Sequence, residues 1–221
     1  MSSIKILVES PTEILFVNDV LKPHFYEKGI SVRPFLLQEG GGVPKYPRSQ
    51  EQILNTIKSD RSCFCTMLVD FYGLPRDWPG RRDADSRRAY LEKAATVENA
   101  LFVDICAQLG SCFNPSQLVP YVQMHEFEAL LFSDTLMLAE TARKSDVSAQ
   151  LDCVLQSFSC PEEINDHYDT CPSRRIKQYI ENYVKTVDGI IATRKIGLKT
   201  MRQGCPHFNE WITKLEDIGN Q

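Results

Sequence analysis

The sequence predicts an α/β protein built on a mostly parallel four-stranded sheet flanked by helices, and three observations carry that prediction. Short apolar runs alternate with helical-period segments in the order β-α-β-α-β-α-β through the first part of the chain. Two of those runs end directly in a carboxylate, Glu9 and Asp70, and the carboxyl ends of strands are where open α/β sheets keep their sites. Beyond Asp134 the pattern turns helical and polar, with a turn-rich segment over residues 160–172. The expected organisation is an α/β domain over residues 1–134 and a helical extension or cap over 135–221 packed on it.

Residues 4–8, Ile-Lys-Ile-Leu-Val, read as the first buried strand. Ser10 then reads as an N-cap with Pro11 at the first helical position, and Glu13 completes an S-x-x-E capping box. Ile14, Val17, Val20, Leu21 and Phe25 recur at helical spacing, which carries this helix to about Tyr26. Residues 32–37 form the second strand, placed near an edge by Pro34. Gly40-Gly41-Gly42 opens a loop to Pro47, followed by a helix marked by Ile53 and Ile57. Residues 63–69 are the third and most clearly buried strand.

After a loop over residues 72–82, a long helix is expected from about 83 to 109, with Leu91, Ala94, Val97, Leu101 and Ile105 on one face. Residues 118–124 give the fourth strand, and His125-Glu126-Phe127-Glu128 leads into Ala129-Leu130-Leu131-Phe132. There is no internal repeat and no low-complexity tract.

With 221 residues, 43% of them hydrophobic and 24% charged, the chain can bury one good core. No apolar run approaches the roughly 20 residues of a membrane span, so no membrane association is expected. The start of the chain lacks a secretory h-region, which points to a cytoplasmic protein. In that setting the eight irregularly spaced cysteines read as reduced thiols, and with no Cys-x-x-Cys pair structural zinc is not expected.

The net charge of −4 argues against an indiscriminate nucleic-acid coat, but the charge is uneven. Arg174, Arg175, Lys177, Lys185, Arg194, Lys195, Lys199 and Arg202 face only Glu181 and Asp188 over residues 171–205. Arg76, Arg81, Arg82, Arg87 and Arg88 form a second basic cluster. Taken alone, both read better as solvated helix faces than as a phosphate-binding surface.

The chemistry concentrates on acids. A carboxylate directly after an apolar strand is costly to desolvate unless it is paired or binds a cation. For Glu9 the competing reading is a salt bridge, and for Asp70 a turn-initiating Asp before Tyr72-Gly73. Glu13 is explained by its capping box until Glu9 and Asp70 are placed beside it, although one helical turn lets Glu9 and Glu13 face one ion. Glu126 and Glu128 read as further ligands or a general base, or one of them as a helix-starting acid. H-E-x-x-H fails at Ala129, and Gly40-Gly41-Gly42-Val43-Pro44-Lys45-Tyr46 is no P-loop, although Lys45 is a candidate phosphate contact. Oxygen donors at two strand ends suit a hard divalent cation, Mg²⁺ or Mn²⁺. Cys205-Pro206-His207-Phe208 with Trp211 reads as a packed anchor.

Val8-Glu9-Ser10-Pro11-Thr12-Glu13, Gly40-Gly41-Gly42, Asp70-Phe71-Tyr72-Gly73-Leu74-Pro75 and His125-Glu126-Phe127-Glu128-Ala129-Leu130-Leu131-Phe132 together resemble the DUF4276 family of uncharacterised bacterial and archaeal proteins. Cys205-Pro206-His207-Phe208 and Trp211 fit the same family, so the resemblance spans nearly the whole chain. That family in turn resembles the Toprim superfamily, including nucleases of the overcoming-lysogenization-defect type. The superfamily signature is a Glu after the first strand and an Asp-x-Asp after the third. Glu9 and Asp70 match it, whereas Tyr72 stands at the trailing Asp and Ser10 replaces the usual glycine of the first turn.

The resemblance implies a nuclease dependent on Mg²⁺ or Mn²⁺ that hydrolyses DNA or RNA. Glu9, Asp70 and one of Glu126 or Glu128 would hold the metal, Glu13 would be a fourth ligand or orient water, and Arg174, Arg175 or Lys177 would position the phosphate backbone. It further implies an ATPase partner and a role in phage defence. Tyr72 and the acidic charge favour the alternative, a non-catalytic regulatory or toxin-like subunit of such an ATPase. Phosphoryl transfer on a small nucleotide is a third reading of the same acids.

Overall fold

Three parallel strands, β1 (Ser2–Val8), β2 (Ile30–Leu36) and β3 (Phe64–Asp70), form the body of the sheet in a computed structural model that describes residues 2–165 and 167–220. Asp166, inside the expected turn-rich segment, lies outside the described residues. β1 and β3 are near-continuous apolar runs because both faces of the sheet are covered. Their register pairs Val8 with Leu68, so Glu9 leaves β1 beside the end of β3. Among the described residues β2 pairs only with β1, as an edge strand, which accommodates Pro34.

The expected fourth strand is divided. Leu118–Val119 (β4) and Val122–Gln123 (β5) each pair in parallel with β3, giving a five-stranded sheet with the order β2-β1-β3-β4 and β5 beside β3. Pro120, between them, has no N–H to give to a ladder, and the strand breaks there.

Ser10 caps α1 (Pro11–Phe16), its hydroxyl accepting the Thr12 N–H at 3.2 Å. The helical path continues through a π-helical turn over Val17–Leu21 into α2 (Lys22–Glu27), close to the expected end at Tyr26. α3 spans Tyr46–Lys58. The long helix expected from residue 83 is two helices, α4 (Arg81–Ala84) and α5 (Tyr90–Leu109). Between them Ser86 Oγ donates to the Asp83 carbonyl and Asp85 receives Arg76 and Arg81, local bonds that compete with continued helix. Ala94, Val97, Leu101 and Ile105 are buried as expected, but Leu91, in the first turn, is 46% exposed.

Strand alternation sends side chains to opposite faces. Leu7, Met67 and Val69 join Ile53, Ile57, Val97, Leu101 and Ile105 under α3 and α5. Ile6, Val8 and Leu68 join Phe16, Val17, Leu21, Phe127, Phe208 and Trp211 on the other face. That second cluster also takes residues of α6 (Thr135–Thr141), α7 (Ser148–Leu155), α8 (Pro172–Tyr179), α9 (Ile190–Gly204) and α10 (Pro206–Asp217).

The Cys205-Pro206-His207-Phe208 motif anchors α10. Fully buried Glu162 accepts the N–H groups of His207 at 2.8 Å and Phe208 at 3.0 Å, satisfying donors that a helix start leaves free. The Trp211 indole N–H donates to Thr66 Oγ1 of β3 at 2.8 Å, and Tyr121 stacks on both His207 and Trp211. All eight cysteines are free thiols. No helix among the described residues is long and apolar enough to cross a membrane.

Candidate active site

The two strand-end acids meet. The backbone N–H of Asp70 donates to Glu9 Oε2 at 3.1 Å. Gly73, in the turn after β3, lets this carboxylate lie flat against the chain, since a Cβ there would sit 3.0 Å from Glu9 Oε1. Glu13, one turn into α1, is buried on the same side, and so is Glu128, from the 3-10 helix Phe127–Asp134.

Lys185 stands among them. Its Nζ is 3.3 Å from Glu13 Oε1, 3.4 Å from Asp70 Oδ2 and 3.3 Å from Glu128 Oε2, and its side chain is 30% exposed. It begins a π-helical turn, Lys185–Gly189, that leads into α9. Glu13 therefore does not close the expected capping box. Both its carboxylate oxygens are buried without a hydrogen-bond partner among the described residues, and its charge is turned toward Lys185 rather than back to Ser10.

Burial raises the affinity of Asp70, Glu9 and Glu128 for protons, and the one ammonium offsets only part of it. Asp70 is held well above the ordinary carboxylate range by burial, with Glu9, Glu13 and Glu128 adding repulsion against the pull of Lys185. Glu9 is raised by burial against the Asp70 N–H and Lys185, and Glu128 is raised by burial against Lys185. For Lys185, burial alone would lower its proton affinity, but Asp70, Glu128, Glu13 and Glu9 reverse this and lift it well above the ordinary lysine value. Glu9, Glu13, Asp70 and Glu128 against one lysine leave the cluster under-compensated in its charged form.

As the side chains stand, no three His, Cys, Asp or Glu among the described residues are arranged to hold a metal ion. The acids stand off at ammonium distance around Lys185 Nζ, whereas oxygen ligands approach Mg²⁺ at about 2.0–2.1 Å. In donor chemistry the residues do fit a hard divalent cation. They are carboxylate oxygens in charge excess, and Glu13 has two buried oxygens that no hydrogen bond satisfies. Loading such an ion requires the ammonium to leave the centre and the oxygens to draw in.

A cavity of about 300 Å³ opens over the cluster, lined by Glu9, Asp70, Tyr72, Gly73 and Glu128 on the sheet side and by Ser173, Lys177, Tyr183 and Lys185 opposite. Glu126 also lines it, but its carboxylate is occupied, accepting the Ser173 N–H at 2.8 Å and the Ser173 hydroxyl at 3.1 Å at the start of α8. The structure thus brings together Glu9, Glu13, Asp70 and Glu128, places Glu126 at the wall and Lys177 at the rim. Arg174 stacks on Tyr168 with its guanidinium carbon 4.3 Å from the ring centroid, and Arg175 donates to the Thr170 carbonyl at 2.7 Å. Lys45 is exposed ahead of α3 and does not line the cavity. His125 is buried, its Nδ1 2.7 Å from the Ile164 carbonyl.

Much of the remaining basic charge is spent elsewhere, Arg194 on Asp19, Arg202 on Glu216, and Arg76 with Arg81 on Asp85. Lys185, Ser173, Gly73 and Tyr183 were not among the site residues expected from sequence. Only Lys185 carried a signal, as one of several cations in a basic segment.

The family described as "Domain of unknown function (DUF4276)" matches residues 8–216. No curated protein and no solved structure matches the chain.

Proposed function

This chain belongs to the DUF4276 family, and from that premise we propose that it is a Toprim-like phosphodiesterase that hydrolyses nucleic acid with the help of Mg²⁺ or Mn²⁺. The observation that carries the reading is the pair of carboxylates at the ends of β1 and β3, joined by buried Glu13 and Glu128 and compensated by one ammonium. Glu9, Asp70 and Glu128, with Glu13, are the residues that would hold the ion. A bound ion would supply Lewis-acid polarisation of a phosphodiester oxygen and a water of lowered pKa.

The chain's own residues supply the rest. The Asp70 N–H and the bare Gly73 fix the Glu9 carboxylate in one orientation. Glu13, whose buried oxygens have no hydrogen bond among the described residues and face the Lys185 ammonium, can take a hydrogen bond from water and hold it for attack once the ammonium moves. Lys177 at the rim, and Lys185 once displaced from the acids, offer positive charge to the incoming phosphate. Water adds to phosphorus, the bond to the leaving oxygen breaks, and that oxygen takes up a proton.

A second reading has its own support. Lys185 Nζ already neutralises part of the cluster from within, as a structural ion pair would, so a non-catalytic member of the same fold needs no metal. Incubating plasmid DNA, single-stranded DNA and RNA with Mn²⁺, Mg²⁺ or EDTA decides between them. Metal-dependent cutting that Glu9→Gln abolishes supports the phosphodiesterase. Intact substrates with folded protein favour the non-catalytic module.

A further inference from the structure

We propose that the substrate is an unpaired nucleic-acid strand whose bases stack on Tyr72 and Tyr168 at the mouth of the acidic cavity. The inference rests on the phosphodiesterase reading and assigns it a substrate class.

One exposed aromatic ring lines the cavity and a second lies beside the helix that forms its wall. Tyr72 is 36% exposed and lines the cavity two residues after Asp70. Tyr168 is 59% exposed. Tyr168 adjoins the cavity wall through Cys171, whose Sγ is 3.6 Å from the Tyr168 carbonyl oxygen and 3.6 Å from the hydroxyl of Ser173, a cavity-lining residue. Arg174 stacks on the Tyr168 ring and bonds its hydroxyl, which holds the ring in place while the residue stays exposed. Lys177, one helical turn beyond Arg174 on α8, lines the same cavity.

Rings for bases and cations for phosphates, set beside each other, are the recurring equipment for single strands. Every base has a π-face, so stacking tolerates sequence, and each stacked base contributes strongly to binding. The shape of the cavity points the same way. Asp70 and Glu128 in its floor are buried, Glu9 beside them is half-buried, and the space above is about 300 Å³. A phosphate must descend into that space, with its flanking bases turned out onto the rim. A flexible strand does so freely, whereas a duplex must first unstack and unpair. Tyr72 then has a use that an Asp at its position would not.

The test measures binding and cleavage on the same probes, a labelled oligothymidylate and the same strand paired with its complement. Wild type, Tyr72→Ala/Tyr168→Ala, Tyr72→Phe/Tyr168→Phe and Glu9→Gln are compared. Wild type is expected to prefer the single strand, the double alanine variant to bind it about tenfold more weakly or worse, and the double phenylalanine variant to recover, since the π-faces return. Glu9→Gln is expected to keep binding while losing cleavage.

Equal use of strand and duplex, or a double alanine variant that binds like wild type, overturns the inference while metal-dependent cleavage leaves the phosphodiesterase standing. Ring-dependent binding without cleavage overturns the enzyme reading and keeps the strand site. Neither binding nor cleavage overturns both.

Discussion

The Asp70 backbone N–H donates to Glu9 Oε2 at 3.1 Å, tying the end of the third strand to the acid that closes the first. A carboxylate held this way can keep an acceptor oxygen fixed for a cation while the neighbouring acid supplies another. Millimolar Mn²⁺ should therefore raise the melting temperature of the wild-type protein. At about a hundredfold excess over Kd the gain is about 2.7 kcal/mol, and each kcal/mol is worth about 2–4 °C for a chain of this size. Glu9→Gln and Asp70→Asn should each lose most of that shift. A wild-type melting curve insensitive to Mn²⁺ and Mg²⁺ removes the metal reading.

Gly73 gives a more selective probe, because it touches the carboxylate without being one. A methyl group there would meet Glu9 Oε1 at 3.0 Å, closer than carbon and oxygen ordinarily sit, and Oε2 at an ordinary 3.4 Å. Gly73→Ala should swing Glu9 off the Asp70 N–H and reduce the Mn²⁺ shift. The fold should lose only about 1 kcal/mol or less, since the side chain that must give way is at a cavity wall. Isothermal titration with Mn²⁺ beside a melting curve separates these effects, and an unchanged Mn²⁺ affinity contradicts the role given to Gly73.

These two residues also show how far a sequence can be read. Glu9 and Asp70 were legible because each ends a near-continuous apolar run, and parallel strands carry their ends to one edge of the sheet. Glu13 was legible in position but not in partner. S-x-x-E fits a capping box equally well, and only the cation brought in from the C-terminal part decides which way the carboxylate turns. Lys185 lies 115 residues from Asp70 in a turn with no periodic pattern, and no local signal separates it from the other lysines and arginines of its segment. The split of residues 118–124 was foreseeable from Pro120, whereas the break before α5 depends on side-chain bonds around Asp85 that span neighbouring turns.

Lys185 should behave as the cluster's resident counter-ion. Lys185→Met keeps the length of the side chain and removes its charge, leaving Glu13, Asp70 and Glu128 facing one another. The expected destabilisation near neutral pH is about 2 kcal/mol, below the about 3–5 kcal/mol of a fully buried pair because the lysine is 30% exposed. The loss should shrink as pH falls, since burial raises the proton affinity of Asp70 and Glu128 and they lose their charge first. Mn²⁺ should stabilise Lys185→Met more than it stabilises wild type, since the ion no longer competes with the ammonium. A smaller Mn²⁺ shift in the variant means that the lysine and the cation do not share a place.

The anchor of α10 should make stability fall as pH rises through the neutral range. Burial lifts Glu162 from 4.5 to about 7, against the pull of His207 and the N–H groups of His207 and Phe208. Over that interval the folded state binds more protons than the unfolded chain, so each step up in pH costs stability. For His207, burial lowers proton affinity, but the hydrogen bond and charge of Glu98, 3.0 Å away, raise it above its ordinary 6.5 overall. Its contribution is present in full below 6.5 and is lost as pH passes the folded value, so both groups act in the same direction. Glu162→Gln retains a carbonyl oxygen for one of the two N–H donors and leaves the other unmatched, a cost of about 1–3 kcal/mol. Melting curves recorded across this range should show a shallower fall for Glu162→Gln than for wild type. The Mn²⁺ shift should be unchanged, because Glu162 binds the helix start rather than the acidic cavity. An equally steep fall in the variant assigns the pH dependence to the strand-end acids instead.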